Sequence, residues 1–195
     1  MEKEQKDDQI KRSSNINTLS KKVASAAIFI AVGVALSYLN PFGYFLIFGT
    51  KINPFAHFIN AITGVLLGLT FSVITAAGIA IVRYSVGIGT IHAFHGGIAG
   101  ALVVGTIAYI LKKKYPDYVR YAAFTEPLGT VFIGGTIGYF IAPVSGSLIG
   151  GLLFYWGLFA ASSIPGCVLG YLMLYFINRS GVSWEDYYQA KEKKE

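Results

Sequence analysis

Charged side chains are scarce in this sequence. Asp, Glu, Lys and Arg make up 13% of its 195 residues, where soluble domains carry roughly 25%. With 54% hydrophobic residues and a mean hydropathy of +0.55, the chain is read as an integral membrane protein. Cysteine is nearly missing: Cys167 stands alone, which excludes an internal disulfide and a secreted disulfide scaffold, and two histidines three apart with no cysteine partner do not make a structural zinc module. No glycine is followed directly by lysine. The phosphate-cradling G-x-x-x-x-G-K-[ST] loop is therefore absent, and any energy from ATP must come from a partner. There is neither a soluble basic domain nor an aromatic RNA-binding motif, so the net charge of +6 does not imply a nucleic-acid partner.

What is present is a series of apolar blocks at 23–40, 54–86, 91–111, 119–142 and 147–178. They lie between a polar tail at 1–22, with no cleaved signal, and another at 179–195. Block 54–86 is too long for one crossing, since it would run about 50 Å as a helix against a hydrocarbon core of about 30 Å. Charge bias sets the count. Splitting this block near Gly68-Leu69-Thr70 puts Lys112-Lys113-Lys114 on the same side as the basic N-terminus, as the positive-inside rule asks. Keeping 147–178 as one crossing leaves Arg179 and the lysine-rich end there too, with 147–155 as an outer loop or half-helix and a kink at Ser162-Ser163-Ile164-Pro165-Gly166. The expectation is all-α, with six transmembrane helices over 23–178, both termini cytoplasmic, and every Lys and Arg but Lys51 and Arg83 of the 16 on that side. No internal repeat marks an inverted-repeat transporter.

Arg83 is the only charged residue within 52–111 and Glu126 the only one within 121–178. A charge at a helix centre costs at least ~2.5–3.5 kcal/mol on insertion scales, so each is expected to have a role: an ion pair between two helices, the binding of a polar ligand, or both. His57, His92 and His95 all fall toward the outer face, the last two sharing a helix face at i, i+3. With no Asp, Glu or Cys beside them in sequence, hydrogen bonding to backbone or ligand is expected in preference to metal. Asn60, one turn after His57, would be costly facing lipid. A small outward-facing polar pocket accounts for all of these.

Phe55, Phe58, Tyr84, Phe94, Tyr155 and Trp156 lie near outer helix ends, where interfacial belts occur but where a flat heteroaromatic ligand would also find ring faces. The apolar segment Pro41–Gly49 is too short to span and has the character of a lid over such a pocket. Ala27, Ala31 and Ala35 form an i+4 stripe of small residues on the first helix, a surface another helix can approach closely, although similar glycine spacings elsewhere make the stripe alone uninformative. Catalysis has little support. Ser85 near His92 is the one inexpensive nucleophile–base pairing, and it lacks a third group.

The run His57-Phe58-Ile59-Asn60-Ala61-Ile62-Thr63-Gly64-Val65-Leu66-Leu67-Gly68, then Arg83 leading to Gly87-Ile88-Gly89-Thr90, then Ala93-Phe94 and Gly96, and Glu126 with Gly129-Thr130, resembles the ThiW family over most of 22–178. That family comprises substrate-capture (S) components of energy-coupling factor vitamin importers, associated with the thiazole precursor of thiamin. The resemblance implies an S-component-like six-helix bundle in the cell membrane, with no chemistry or cofactor of its own. Its partners would be a transmembrane coupling (T) component and two ABC-type ATPases. It implies a ligand such as hydroxyethylthiazole at the outer face. The residue-by-residue reading gives His57, Asn60, Arg83, Tyr84, His92, His95, Glu126 and Trp156 as candidate ligand-binding residues. The resemblance also gives Ala27, Ala31 and Ala35 a meaning, as the A-x-x-x-A face that docks on the coupling protein.

Three positions depart from the family pattern. Tyr84 stands where Asn is expected, and His92 and His95 where an apolar residue and a proline are expected. Two other classes of function compete: a membrane-embedded enzyme, which requires His92, His95 and Glu126 to converge, and a self-sufficient small-molecule carrier.

Overall fold

A computed structural model describes residues 2–41, 51–142 and 148–188. The chain is an all-α membrane protein, with six main helical segments among the described residues. These are α1 (Glu2–Leu39), α2 (Pro54–Leu66), α3 (Leu69–Ser85), α4 (His92–Lys114), a composite fifth segment over 116–141 that ends in α5 (Gly135–Ile141), and α6 (Leu148–Arg179). By length and composition α4, α6 and the Asn15–Leu39 part of α1 are long and apolar enough to cross a bilayer. The expected lid lies almost wholly outside the described residues.

α2 is the hub. Only 13 residues long, it spans about 20 Å, yet it is buried nearly all round and packs against α1, α3, α4, α6 and the fifth segment. Pro54 opens it, where a missing N–H costs nothing. Gly68 closes it: at φ +85° the residue donates to the Thr63 carbonyl at 3.1 Å, and the chain re-enters a helix at Leu69. The split expected near Gly68 is thus observed.

Two expectations for local structure are corrected. Residues 148–155 are neither a loop nor a half-helix but the first turns of a continuous 32-residue α6 with Pro165 inside it. The fifth segment is not one regular helix over 119–142. Pro116–Thr125 is wound tightly as a 3₁₀ helix, Leu128–Gly134 is wound widely as a π-helix, and only then does α5 begin. The polar residues before 23 are helical, an extension of α1.

Buried side chains form two apolar clusters. One, nearer the Lys112–Lys114 end, is built on Ile62, Val65, Leu66, Val104, Val119 and Leu174. The other, on Val131, Tyr155, Leu158 and Phe159, lies nearer the start of α4. At the basic end, Ser183 and Asp186 form a reciprocal capping box, and Trp184 and Tyr187 pack on the first cluster. Next to them the Tyr188 ring lies 3.6 Å from Lys22 Nζ and 4.0 Å from Lys112 Nζ, while its hydroxyl donates to the Leu67 carbonyl at 3.1 Å.

Candidate functional site

A layer of polar side chains separates the two apolar clusters, and its centre is Glu126. The residue is fully buried. Oε1 accepts from His57 Nδ1 at 2.7 Å, from Thr130 Oγ1 at 2.7 Å and from Asn60 Nδ2 at 3.2 Å, while Oε2 accepts from the Ser163 hydroxyl. Every neighbour can donate, which suits an ionised carboxylate and supplies the pairing that a buried charge requires. The second Asn60 amide proton goes to the Gly97 carbonyl at 2.9 Å.

The backbone makes room for this layer by omitting side chains. A Cβ at Gly100 would collide with Glu126 Oε1 and Thr130 Oγ1, one at Gly129 with the Ala99 carbonyl, and one at Gly166 with the Pro54 carbonyl and His57 Cβ. Close approach of α4 to the fifth segment, and of α6 to α2, therefore depends on glycine. The wide turn that starts after Pro127 belongs to the same arrangement, a local winding common at functional sites.

Above this layer, at the end of the bundle remote from Lys112–Lys114, a solvent-open cavity takes in about 460 Å³ of empty space, the open solvent at its mouth included. Its polar wall carries His57, Arg83, His92 and Asn53, and its apolar wall Ala93, Gly96, Gly97, Leu158 and Phe159. Arg83 is 5% exposed. Its partner is not Glu126: the Asn53 amide oxygen, in the orientation the network requires, accepts from the guanidinium at 3.0, 3.2 and 3.3 Å. Asn53 is fixed in turn by its backbone N–H donating to Ser162 Oγ at 2.8 Å. The turn after α3 curls back so that Gly89 N–H reaches the Arg83 carbonyl at 2.8 Å, and Lys51 Nζ donates to the Gly87 carbonyl at 3.1 Å.

Of the residues expected from sequence, His57, Arg83 and His92 line the cavity. Asn60 and Glu126 lie one layer deeper, and His95 stands behind His92, with His92 Nδ1 and His95 Nε2 2.9 Å apart. Tyr84 and Trp156 are not among the lining residues. Tyr84 is over half exposed and meets Phe94 edge-on, and Trp156 packs on Phe132 and donates to Thr136 Oγ1 at 3.1 Å. Among the described residues no three His, Cys, Asp or Glu side chains gather as for a metal ion. His92 and His95 form one hydrogen-bonded group and Glu126 belongs to another.

Sequence reasoning did not single out Asn53, Ser162, Ser163 or Phe159. Asn53 reads as the residue before a helix-opening proline, and Ser162-Ser163 as part of a kink. The signal available was two adjacent hydroxyls in an otherwise apolar helix, which need partners when buried.

Ala27, Ala31 and Ala35 are exposed along the outward side of α1, whereas Ala26, Gly33 and Ser37 face the bundle. No curated protein matches the chain in a sequence comparison. A family model described as "Thiamine-precursor transporter protein (ThiW)" matches residues 23–180.

Proposed function

The chain belongs to the ThiW family of thiamine-precursor transporter proteins, and from that premise we propose that it is the substrate-capture component of an energy-coupling factor importer. In this reading it takes a small heteroaromatic, hydroxyethylthiazole first among them, at the outer face. It passes the ligand inward after docking on a transmembrane coupling protein driven by two ATPases. The supporting observation is the cavity. It opens at the end of the bundle opposite the Lys112–Lys114 cluster, which the positive-inside rule assigns to the cytoplasm, and it joins the polar side chains of His57, Arg83 and His92 to the aromatic ring of Phe159. A flat, weakly polar ring needs that mixture of contacts.

The exposed alanine stripe supports the docking step. Three small side chains in line on the outer side of α1 leave a shallow track that a neighbouring helix can approach to backbone distance. Glu126 has the role of a buried anchor, fixing His57 from below so that the cavity floor is preformed.

Calorimetry on the detergent-solubilised protein tests the reading. Hydroxyethylthiazole should bind, and the pyrimidine half of thiamin should bind less tightly. Uptake into proteoliposomes should require the coupling protein, both ATPases and ATP. Ligand uptake by the isolated chain would make it a self-sufficient carrier, and failure of every thiamin precursor to bind would remove the ligand assignment.

A further inference from the structure

His92 and His95 form a directed hydrogen-bond chain whose polarity is fixed at one end. The Gly134 carbonyl can only accept, so the 2.8 Å contact from His95 Nδ1 carries a proton on that nitrogen. Neither histidine has a carboxylate among its hydrogen-bond partners. The rings lie among aromatic side chains, His95 stacked on Phe159 with centroids 5.6 Å apart and His92 edge-on to the same ring at 6.3 Å, where an unpaired imidazolium would be costly. Both are neutral in this arrangement. Nε2 of His95 is then a bare lone pair, and the 2.9 Å contact to His92 Nδ1 places the shared proton on His92. A neutral His92 with a proton on Nδ1 has none on Nε2.

We infer that His95, anchored on Gly134, locks His92 in the Nδ1–H tautomer, so that the side chain His92 contributes to the cavity wall is an acceptor, and that His92 thereby selects ligands carrying a hydrogen-bond donor. Nδ1 being engaged, Nε2 is the one polar atom His92 has left for a ligand, and no described residue occupies it. The same polar wall carries the Arg83 guanidinium, which can only donate. The site thus takes a neutral molecule that presents an O–H or N–H to His92 and an acceptor to Arg83, an alcohol being the simplest case. His95 is a positioning residue and need not touch the ligand. The identity of the ring rests on the proposed function; the tautomer does not.

Two measurements test this. In ¹⁵N-histidine-labelled protein without ligand, with the His92 signals assigned by their loss in His92→Phe, Nδ1 should be protonated and Nε2 bare. In His95→Leu the population should move toward the Nε2–H form. A protonated Nε2 on His92 in the unsubstituted protein overturns the inference, whether or not any ligand has been found and whether or not His95→Leu folds. The binding arm uses hydroxyethylthiazole and its O-methyl ether, which lacks the donor. The unsubstituted protein should favour the alcohol by about 10-fold or more. His92→Phe should bring the ratio close to one, and His95→Leu should lower it, whereas a purely structural role for His95 would weaken both probes equally. A ratio unchanged in His92→Phe overturns the selection by His92. If neither probe binds the unsubstituted protein, the thiamin-precursor reading fails, and the ¹⁵N spectrum still decides the lock.

Discussion

Glu126 accepts a 2.7 Å hydrogen bond from Nδ1 of His57, a residue 69 positions earlier in the chain. The contact ties the fifth segment, at the junction between its tightly and its widely wound pieces, to the hub helix α2 at the level where two apolar clusters would otherwise merge. Replacing such a layer by hydrocarbon is often neutral or stabilising for a fold. Its position directly under the cavity is what links it to binding.

Glu126→Gln keeps the shape and removes the charge, leaving His57 and Ser163 facing an amide that can no longer accept from every side. The expected result is a loss of about 2–4 kcal/mol of stability, with a larger loss in Glu126→Ala. Thermal unfolding in detergent measures it, and an unchanged midpoint in both variants would show that the layer is energetically idle.

Gly100 and Gly97 lie on one helix and should respond oppositely to alanine. At Gly100 the new methyl meets the Glu126 carboxylate and Thr130, an overpacking expected to cost about 1–3 kcal/mol. At Gly97 nothing lies within 4 Å of a Cβ, yet the residue lines the cavity. Gly97→Ala should therefore leave the melting temperature of the ligand-free protein within error and weaken ligand binding. Parallel melting and calorimetry on the two variants separate the roles.

Asn60→Ala is expected to act on the fold first. The side chain is 1% exposed, and both its amide protons are taken, by Gly97 and Glu126. A stability loss of about 1–3 kcal/mol, with ligand affinity falling as a consequence, is the outcome to look for in melts with and without ligand.

Ala31→Leu should spare binding and abolish transport, because the added volume stands on the outward side of α1 and holds a partner helix off. Equal ligand affinity in calorimetry together with no ATP-driven uptake is the expected pair of results. Uptake at the unsubstituted rate would take the stripe out of the docking surface.

Lys113→Cys should be protected from an impermeant thiol reagent added outside intact cells, as the charge bias requires. The background is favourable, since the sole natural cysteine, Cys167, is buried. Labelling from outside would invert the assignment of sides.

The sequence carried the helix count and the division at Gly68 because both follow from length limits, charge bias and a glycine that ends a helix. It also carried three cavity residues, His57, Arg83 and His92, since lone polar groups in apolar helices have few places to go. Which of them pair was not legible. Arg83 and Glu126 look complementary along the chain, but partner choice depends on how each helix is rotated about its axis. Rotation places Asn53 against the arginine and His57 against the carboxylate. The start of α6 misled for another reason: 147–178 is longer than one crossing needs, so its first residues read as an outer loop or half-helix, whereas the helix is continuous and packs Gly151 against the Tyr139 ring. The change of winding around Pro127 left no periodic trace because each piece is at most ten residues long.

The Tyr188 ring gives the bundle a dependence on residues beyond its last long helix. Lys112 Nζ is buried and has no hydrogen-bond acceptor among the described residues; the rings of Tyr188 and Trp184 are electron-rich surfaces near it. A protease cutting at the exposed turn around Gly181 would break no helix, yet it would release both rings and strand that ammonium. The α2–α3 corner at Leu67 would lose its clasp at the same moment. Resistance of the intact chain to limited digestion is therefore set in part by a short peptide that ends the fold, and a fusion joined directly after Arg179 would forfeit it.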